Sequence, residues 1–467
     1  MQHTYSHNKA YYFIENIAVV PLHTTFAMLN ILQFILFAAY VVLLATVVWK
    51  VKWFALNFVS KKILLLAFLL KVSAGMALTL LYTYYYTNKQ DADIYKYFED
   101  GITLQGIFFH SPKLFFKLLF EINIETPEVL AAIKNFNHWD PKVRSMVYND
   151  SRFIIKLNAC IAFFSGKSIF IHSLLGSFIG FAGIVAIIKS VEKILPTFNF
   201  TALLLLFFPS VVFWTSALLK ETVLTLAFGF FIWSATQIAT TFNRKHLVFA
   251  AILFLLLALL KVYVLLCLIP PAAAFLFTRK QTSLWRITVT YIAVISLLVA
   301  LAFAVDALLL HNNVALGIAQ KQHDMQRLAI YMQSGSFIYI PSVDGNNTFS
   351  FLVSGIYGIF NVLLQPFIWS STSPLLLVSA IENILLLVLI IASLAFIPQL
   401  SAHEWRLSLA CIAFALLLFA IIGITTPVVG SIVRYRVPGL LLLLIPLSTG
   451  LTQITAAIST RVGSTEL

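Results

Sequence analysis

Apolar runs long enough to cross a bilayer recur along almost all of this 467-residue chain. Residues 63–81, 248–260 and 384–397 carry a single lysine among them. About twenty such residues span the hydrocarbon core as a helix. The chain is 60% hydrophobic with a mean hydropathy of +0.94, more apolar surface than a soluble protein of this size can bury. The expected fold is therefore all-α: a polytopic transmembrane bundle of about eleven membrane-embedded helices, forming a single integral domain over 1–467.

Simple spans are expected near 29–49, 63–86, 169–189, 199–214, 220–241, 285–310, 374–398, 405–424 and 437–457. The run 247–277 is too long for one of them and is broken by Lys261, which suggests two short helices meeting at the outer surface. Segments 152–165 and 351–369 read as re-entrant or interfacial. Residues 1–28 lack the basic start of a cleavable signal, and the first apolar run is long enough to remain as a span.

The net charge of +13, from 31 basic and 18 acidic residues, fits loops that face a cytoplasm and anionic head groups. No basic soluble segment is present to carry nucleic acid, so no nucleic-acid partner is expected. Cys160, Cys267 and Cys411 lie in apolar surroundings with no metal or disulfide spacing, and read as packing residues. Lys50, Lys52, Lys61 and Lys62 follow the first span with no acid among them, which predicts a cytoplasmic loop. The loop 87–150 then falls on the opposite, outer side. A second outer loop is expected at 311–350 and should be irregular. Within the first, 106–120 reads as an amphipathic interfacial helix with Lys113 and Lys117 on one face.

Against a chain only 10% charged, Asp91, Asp93, Glu99 and Asp100 place four carboxylates in ten residues. Read as a helix beginning after Asp91 and stopped by Gly101, the string puts Asp93, Tyr97 and Asp100 on one face. Helix capping accounts for Asp91 and Asp93, since acids suit the positive first turn. It does not account for Glu99 and Asp100, which would sit at the negative end.

Three further signals lie far along the chain. Phe208-Pro209-Ser210 leads through Phe213-Trp214 to Lys220-Glu221, a charged pair at an aromatic boundary. Lys261 stands alone among apolar residues, two positions before Tyr263. Arg434-Tyr435-Arg436 directly precedes the last apolar run. The plain readings are a self-satisfied ion pair, a snorkelling lysine and a basic anchor. A charge inside a span nevertheless costs about 2.5–3.5 kcal/mol and calls for a partner or a function. Lys71 and Glu382-Asn383 are read as packing partners within the bundle. An outer cavity with carboxylates on one side and cations on the other suits polyprenyl-phosphate-linked sugars: a carboxylate deprotonates the acceptor hydroxyl, and a cation stabilises the departing phosphate.

The acidic string after an early span, the stretch 208–221 and the late Arg-Tyr-Arg segment together resemble the GT-C superfamily of polytopic glycosyltransferases. That resemblance implies inverting transfer from a polyprenyl- or dolichyl-phosphate sugar to a lipid, glycan or protein acceptor. It implies interfacial helices in the first outer loop and a base at Asp93 or Asp91. Asp91 and Asp100 would orient the acceptor or a divalent cation such as magnesium or manganese. Glu99, Lys220, Glu221, Lys261, Tyr263, Arg434 and Arg436 would hold the substrate, with the cations on the donor phosphate and Glu221 positioning Lys220. No soluble C-terminal domain is expected, a departure from the larger members. The location implied is a bacterial inner membrane with the site facing the periplasm. Two other readings stay open: an O-antigen-type polymerase or ligase relying on 311–350 with His323 and Arg327, and a lipid or solute transporter. Transporters of the common folds carry inverted repeats, and no internal repeat is apparent here.

Overall fold

A computed structural model describes residues 31–84, 92–139, 150–197, 200–371, 373–395 and 400–463. Among these the chain is helical, with one isolated β-bridge between Phe337 and Val428. In chain order the helices are α1 (Ile31–Lys50), α2 (Lys61–Tyr84), α3 (Asp93–His110), α4 (Pro112–Phe120), α5 (Pro127–Ile133), α6 (Asp150–Ala162), α7 (Ile169–Ile194), α8 (Thr201–Phe207) and α9 (Pro209–Trp214). There follow α10 (Lys220–Thr241), α11 (Arg244–Phe277), α12 (Leu284–Leu309), α13 (Asn313–Tyr331), α14 (Thr348–Leu364), α15 (Pro374–Leu394), α16 (Ala402–Thr425), α17 (Val429–Tyr435) and α18 (Val437–Gly463).

Eight of these helices are long and apolar enough to cross a membrane, or nine if α17 and α18, bent by 60° at their junction, count as one span. The protein is a polytopic helical membrane protein. Its lipid-facing residues are ordinary for that class: Leu297, Ile391 and Leu255 are more than half exposed on otherwise apolar helices. Where helices meet, small residues let backbones approach. Gly183 of α7 and Gly229 of α10 face each other so closely that a Cβ on Gly229 would lie 2.0 Å from the Gly183 carbonyl oxygen.

One end of the bundle is marked by the lysines at 50–62. There Lys189 donates to the Ala55 carbonyl at 2.9 Å, Lys193 to Gln237 at 2.6 Å, and Thr197 to Glu404. Arg406 donates to the Thr278 carbonyl at 3.1 Å, so α11 both begins and ends near this end. Between its ends, Lys261 leaves helical geometry (φ −154°, ψ 85°) and lies 4.0 Å from Glu221 at the opposite end, so the two halves run out and back as a hairpin. A lysine that cannot be buried unpaired sits where the chain turns toward other charges.

Several local expectations change. Gly101 does not stop the acidic helix, because α3 runs on to His110. A Cβ at 101 would lie 2.5 Å from the Asn158 Cβ, so the glycine is a contact point with α6 rather than a terminator. The stop comes ten residues later. Ser111 accepts from the Leu114 amide as N-cap and Pro112 opens α4, which divides the expected 106–120 helix in two. Glu99 and Asp100 accordingly lie mid-helix, and the N-cap is Ala92, without a side-chain cap. The expected span 199–214 is broken at Pro209 into α8 and α9. The loop 311–350, expected to be irregular, contains the 19-residue α13.

Gly101→Ala adds helix propensity worth about 1 kcal/mol but overpacks a contact that costs about 1–3 kcal/mol. Overpacking wins, and the expected result is a lower thermal midpoint in detergent. An unchanged or raised midpoint would show that α3 and α6 are not packed this closely.

Candidate functional site

The charged groups gather at the end of the bundle opposite the lysine loop. Asp93 stands in the first turn of α3, where the helix dipole favours a carboxylate. Its Oδ2 accepts from Arg434 at 2.8 Å. Arg434 closes α17, just before the bend into α18, and its second terminal nitrogen lies 2.8 Å from Glu221 Oε2. Glu221, in the first turn of α10, is 4.0 Å from Lys261 at the hairpin tip of α11. Lys261 in turn lies 4.3 Å from the Tyr435 ring centroid and 5.6 Å from that of Tyr263. Lys220 donates to Ser151 at 2.9 Å and sits 5.4 Å over the Tyr97 ring. Four stretches separated by up to 341 positions thus converge on one cluster of three cations and two carboxylates.

Burial grades across the cluster. The Glu221 and Arg434 side chains are 2% and 10% exposed, while that of Asp93 is 34% exposed. Neither oxygen of Glu221, nor Arg434 Nε, has a well-aligned hydrogen bond among the described residues. Ion pairing with Arg434 and Lys261 compensates the burial of Glu221. At Asp93 burial pushes the carboxyl up, but the Arg434 guanidinium outweighs it, aided by Lys220 and Lys96, and holds the group below the usual carboxylate range. Tyr97 goes the other way: burial and then the nearby Asp93 carboxylate raise its phenol.

Of the residues singled out from the sequence, Asp93, Lys220, Glu221, Lys261, Tyr263 and Arg434 come together here. Asp100 and Arg436 are engaged elsewhere. Asp100, seven positions after Asp93, accepts from the backbone amides of Asn137 and His138 at 2.9 and 2.8 Å and pins that loop to α3. Burial raises its carboxyl, with the amides pulling the other way. Arg436 is fully buried. It pairs with Glu382 of α15 at 3.0 Å and donates to the Val362 carbonyl at 3.0 Å. Glu382 also accepts from the Ser210 hydroxyl and amide at 2.5 and 2.6 Å, tying α9 and α15 to the junction of α17 and α18. Glu99 is half-buried on α3, with its carbonyl accepting from Thr103. Asp91 lies outside the described residues.

Removing one partner of a buried ion pair costs about 3–5 kcal/mol, because the other charge stays behind. Glu382→Ala is expected to be destabilised by that amount, since it strands Arg436 in apolar surroundings. Chemical or thermal unfolding in detergent checks it, and a loss under about 1 kcal/mol would contradict the structural role assigned to this pair.

Reasoning from sequence missed Ser151 and Tyr435 as members of the cluster, and missed Ser210 as the partner of Glu382. Tyr435 was flanked by two arginines and so was visible as an aromatic platform. Ser151 and Ser210 carried no signal of their own.

No three His, Cys, Asp or Glu side chains gather in metal-binding geometry among the described residues. The expected divalent-cation pair includes Asp91, which lies outside the described residues, and the chemistry below uses no metal. Compared with family models, with curated proteins and with solved structures, the chain gives no match.

Proposed function

We propose that this protein is an integral membrane glycosyltransferase of GT-C type, which moves a sugar from a polyprenyl-phosphate donor to a lipid, glycan or protein acceptor. The observation that carries the reading is the convergence of Asp93, Lys220, Glu221, Lys261 and Arg434 at one end of a membrane bundle. Among the described residues the cluster sets Lys220, Lys261 and Arg434 beside Asp93 and Glu221, and cations so placed suit a phosphate monoester or diester arriving from the bilayer. Aromatic faces at Tyr97, Tyr263 and Tyr435 adjoin the cations and suit a sugar ring.

In the proposed reaction the Asp93 carboxylate takes the proton of the acceptor hydroxyl. The hydroxyl oxygen bonds to the anomeric carbon as the bond from that carbon to the phosphate oxygen breaks. The bonding pair stays on the phosphate, where Arg434, Lys220 and Lys261 stabilise the charge. Glu221 positions Arg434 and Lys261. Asp100 positions the 136–139 loop against α3 rather than touching substrate. The proposed setting is a bacterial inner membrane with the site on the periplasmic side, as the lysine loop at the other end implies.

A polyprenyl-phosphate sugar carrying a photoreactive group tests the reading. Cross-links are expected on peptides containing Lys220, Lys261 or Arg434. Cross-links confined to 311–350 would favour a polymerase or ligase instead, and donor crossing the membrane uncleaved would indicate transport.

A further inference from the structure

Arg434 meets two carboxylates that differ in kind. Glu221 is buried and fixed in the first turn of a membrane helix, at 2.8 Å from one terminal nitrogen. Asp93 is a third exposed, reaches the other terminal nitrogen at 2.8 Å, and stands at the solvent side of the cluster. Arg434 Nε, buried and without a hydrogen-bond partner among the described residues, is left with unused donor capacity. A guanidinium binds phosphate best through two parallel N–H donors. Here one of the two terminal nitrogens, the outward one, is occupied by the protein's own carboxylate.

Resting on the functional reading above, we infer that the Asp93–Arg434 pair is an internal stand-in for the ligand anion: a phosphate group entering the site displaces the Asp93 carboxylate from Arg434, so that ligand binding itself releases the base. Glu221 keeps Arg434 in place during the exchange. The released carboxylate keeps Lys220 and Lys96 as neighbouring cations. The arrangement keeps the carboxylate masked while no phosphate is bound, so a stray hydroxyl or water meets no free base. Breaking one contact frees both an anion site and a base, and Arg434 keeps an anionic partner throughout the exchange.

The shared chemistry is a phosphate monoester or diester, which a lipid or free phosphate would supply. Binding to the full-length protein in detergent separates these sources: farnesyl phosphate as probe, farnesol as the phosphate-free lipid, and inorganic phosphate as the lipid-free anion. Asp93→Asn removes the competitor and is expected to bind farnesyl phosphate about fivefold tighter than wild type, the scale of one partly exposed ion pair. Glu128→Gln, a similar charge change at an exposed site on α5, is expected to change nothing. If wild type binds farnesyl phosphate better than farnesol but Asp93→Asn binds it equally or more weakly, the stand-in is overturned and the phosphate site survives. The same holds if Glu128→Gln tightens binding as much as Asp93→Asn, since overall charge would then explain the gain. If no form prefers farnesyl phosphate to farnesol, both this inference and the phosphate site fail. Inorganic phosphate competing as strongly as farnesyl phosphate would place the ligand in solution and overturn the lipid source.

Discussion

Asp93→Asn is expected to fold, to reach the membrane in normal amounts and to transfer sugar about 10²–10⁴-fold more slowly than wild type, the span typical of losing a positioned general base. The substitution is nearly isosteric and removes only the charge. Arg434 keeps its contact with the buried Glu221, so the cluster stays compensated. A loss in kcat with donor binding retained would identify Asp93 as acting in the transition state rather than as a donor contact. The pH dependence carries the same signature. Arg434 holds the Asp93 carboxyl below its ordinary range in the unliganded protein. Its ionised form is therefore kept as pH falls through that range, and is lost only below it. The acid limb of kcat/KM should accordingly lie below the ordinary carboxylate range and vanish in Asp93→Asn. A limb near neutrality would assign the base to another group.

A second large stability effect is expected at Arg434. Arg434→Gln leaves Glu221, 2% exposed, with Lys261 at 4.0 Å as its remaining cation among the described residues. Breaking a buried ion pair costs about 3–5 kcal/mol, and the more distant Lys261 offsets part of it. Glu221→Gln alone leaves Arg434 with Asp93, a partner at the solvent side, and should cost less. The double variant Glu221→Gln/Arg434→Gln removes both charges, and is expected to recover most of the stability while remaining inactive. Unfolding in detergent across the four proteins yields the coupling between the two residues. Recovery of stability without recovery of transfer separates the structural part of Arg434 from its part in holding phosphate. Additive losses would show that the pair does not interact as described.

Much of the scaffold was legible because spans are written in a plain code. Apolar length marks α2, α7, α10, α12 and α16 whatever surrounds them, and a lone lysine at 261 marks the turn of the α11 hairpin. Lys220, Glu221, Lys261 and Arg434 stood out for a related reason: a charge beside apolar sequence must find a partner. Which partner it finds is a tertiary fact. Arg434 and Arg436 looked equivalent, yet two positions on a helix differ by about 200° in direction. One turns to Asp93 and Glu221, the other to Glu382. Gly101 was read as a helix end because glycine punctuates sequence, but here it serves close packing against Asn158. Asp100 shared a predicted face with Asp93, and its carboxylate goes to loop amides 37 and 38 positions away that no local pattern could reveal.

The central claim is that this cluster transfers sugar from a lipid phosphate. It is tested most directly by reconstituting the purified protein in liposomes with a panel of radiolabelled polyprenyl-phosphate sugars and crude envelope acceptors, beside Asp93→Asn. The account predicts glycosylated product and released polyprenyl phosphate in equal amounts with the wild type, and at least about a hundredfold less of each with a well-folded Asp93→Asn. Equal transfer by both proteins, or no cleavage of any donor, would contradict it.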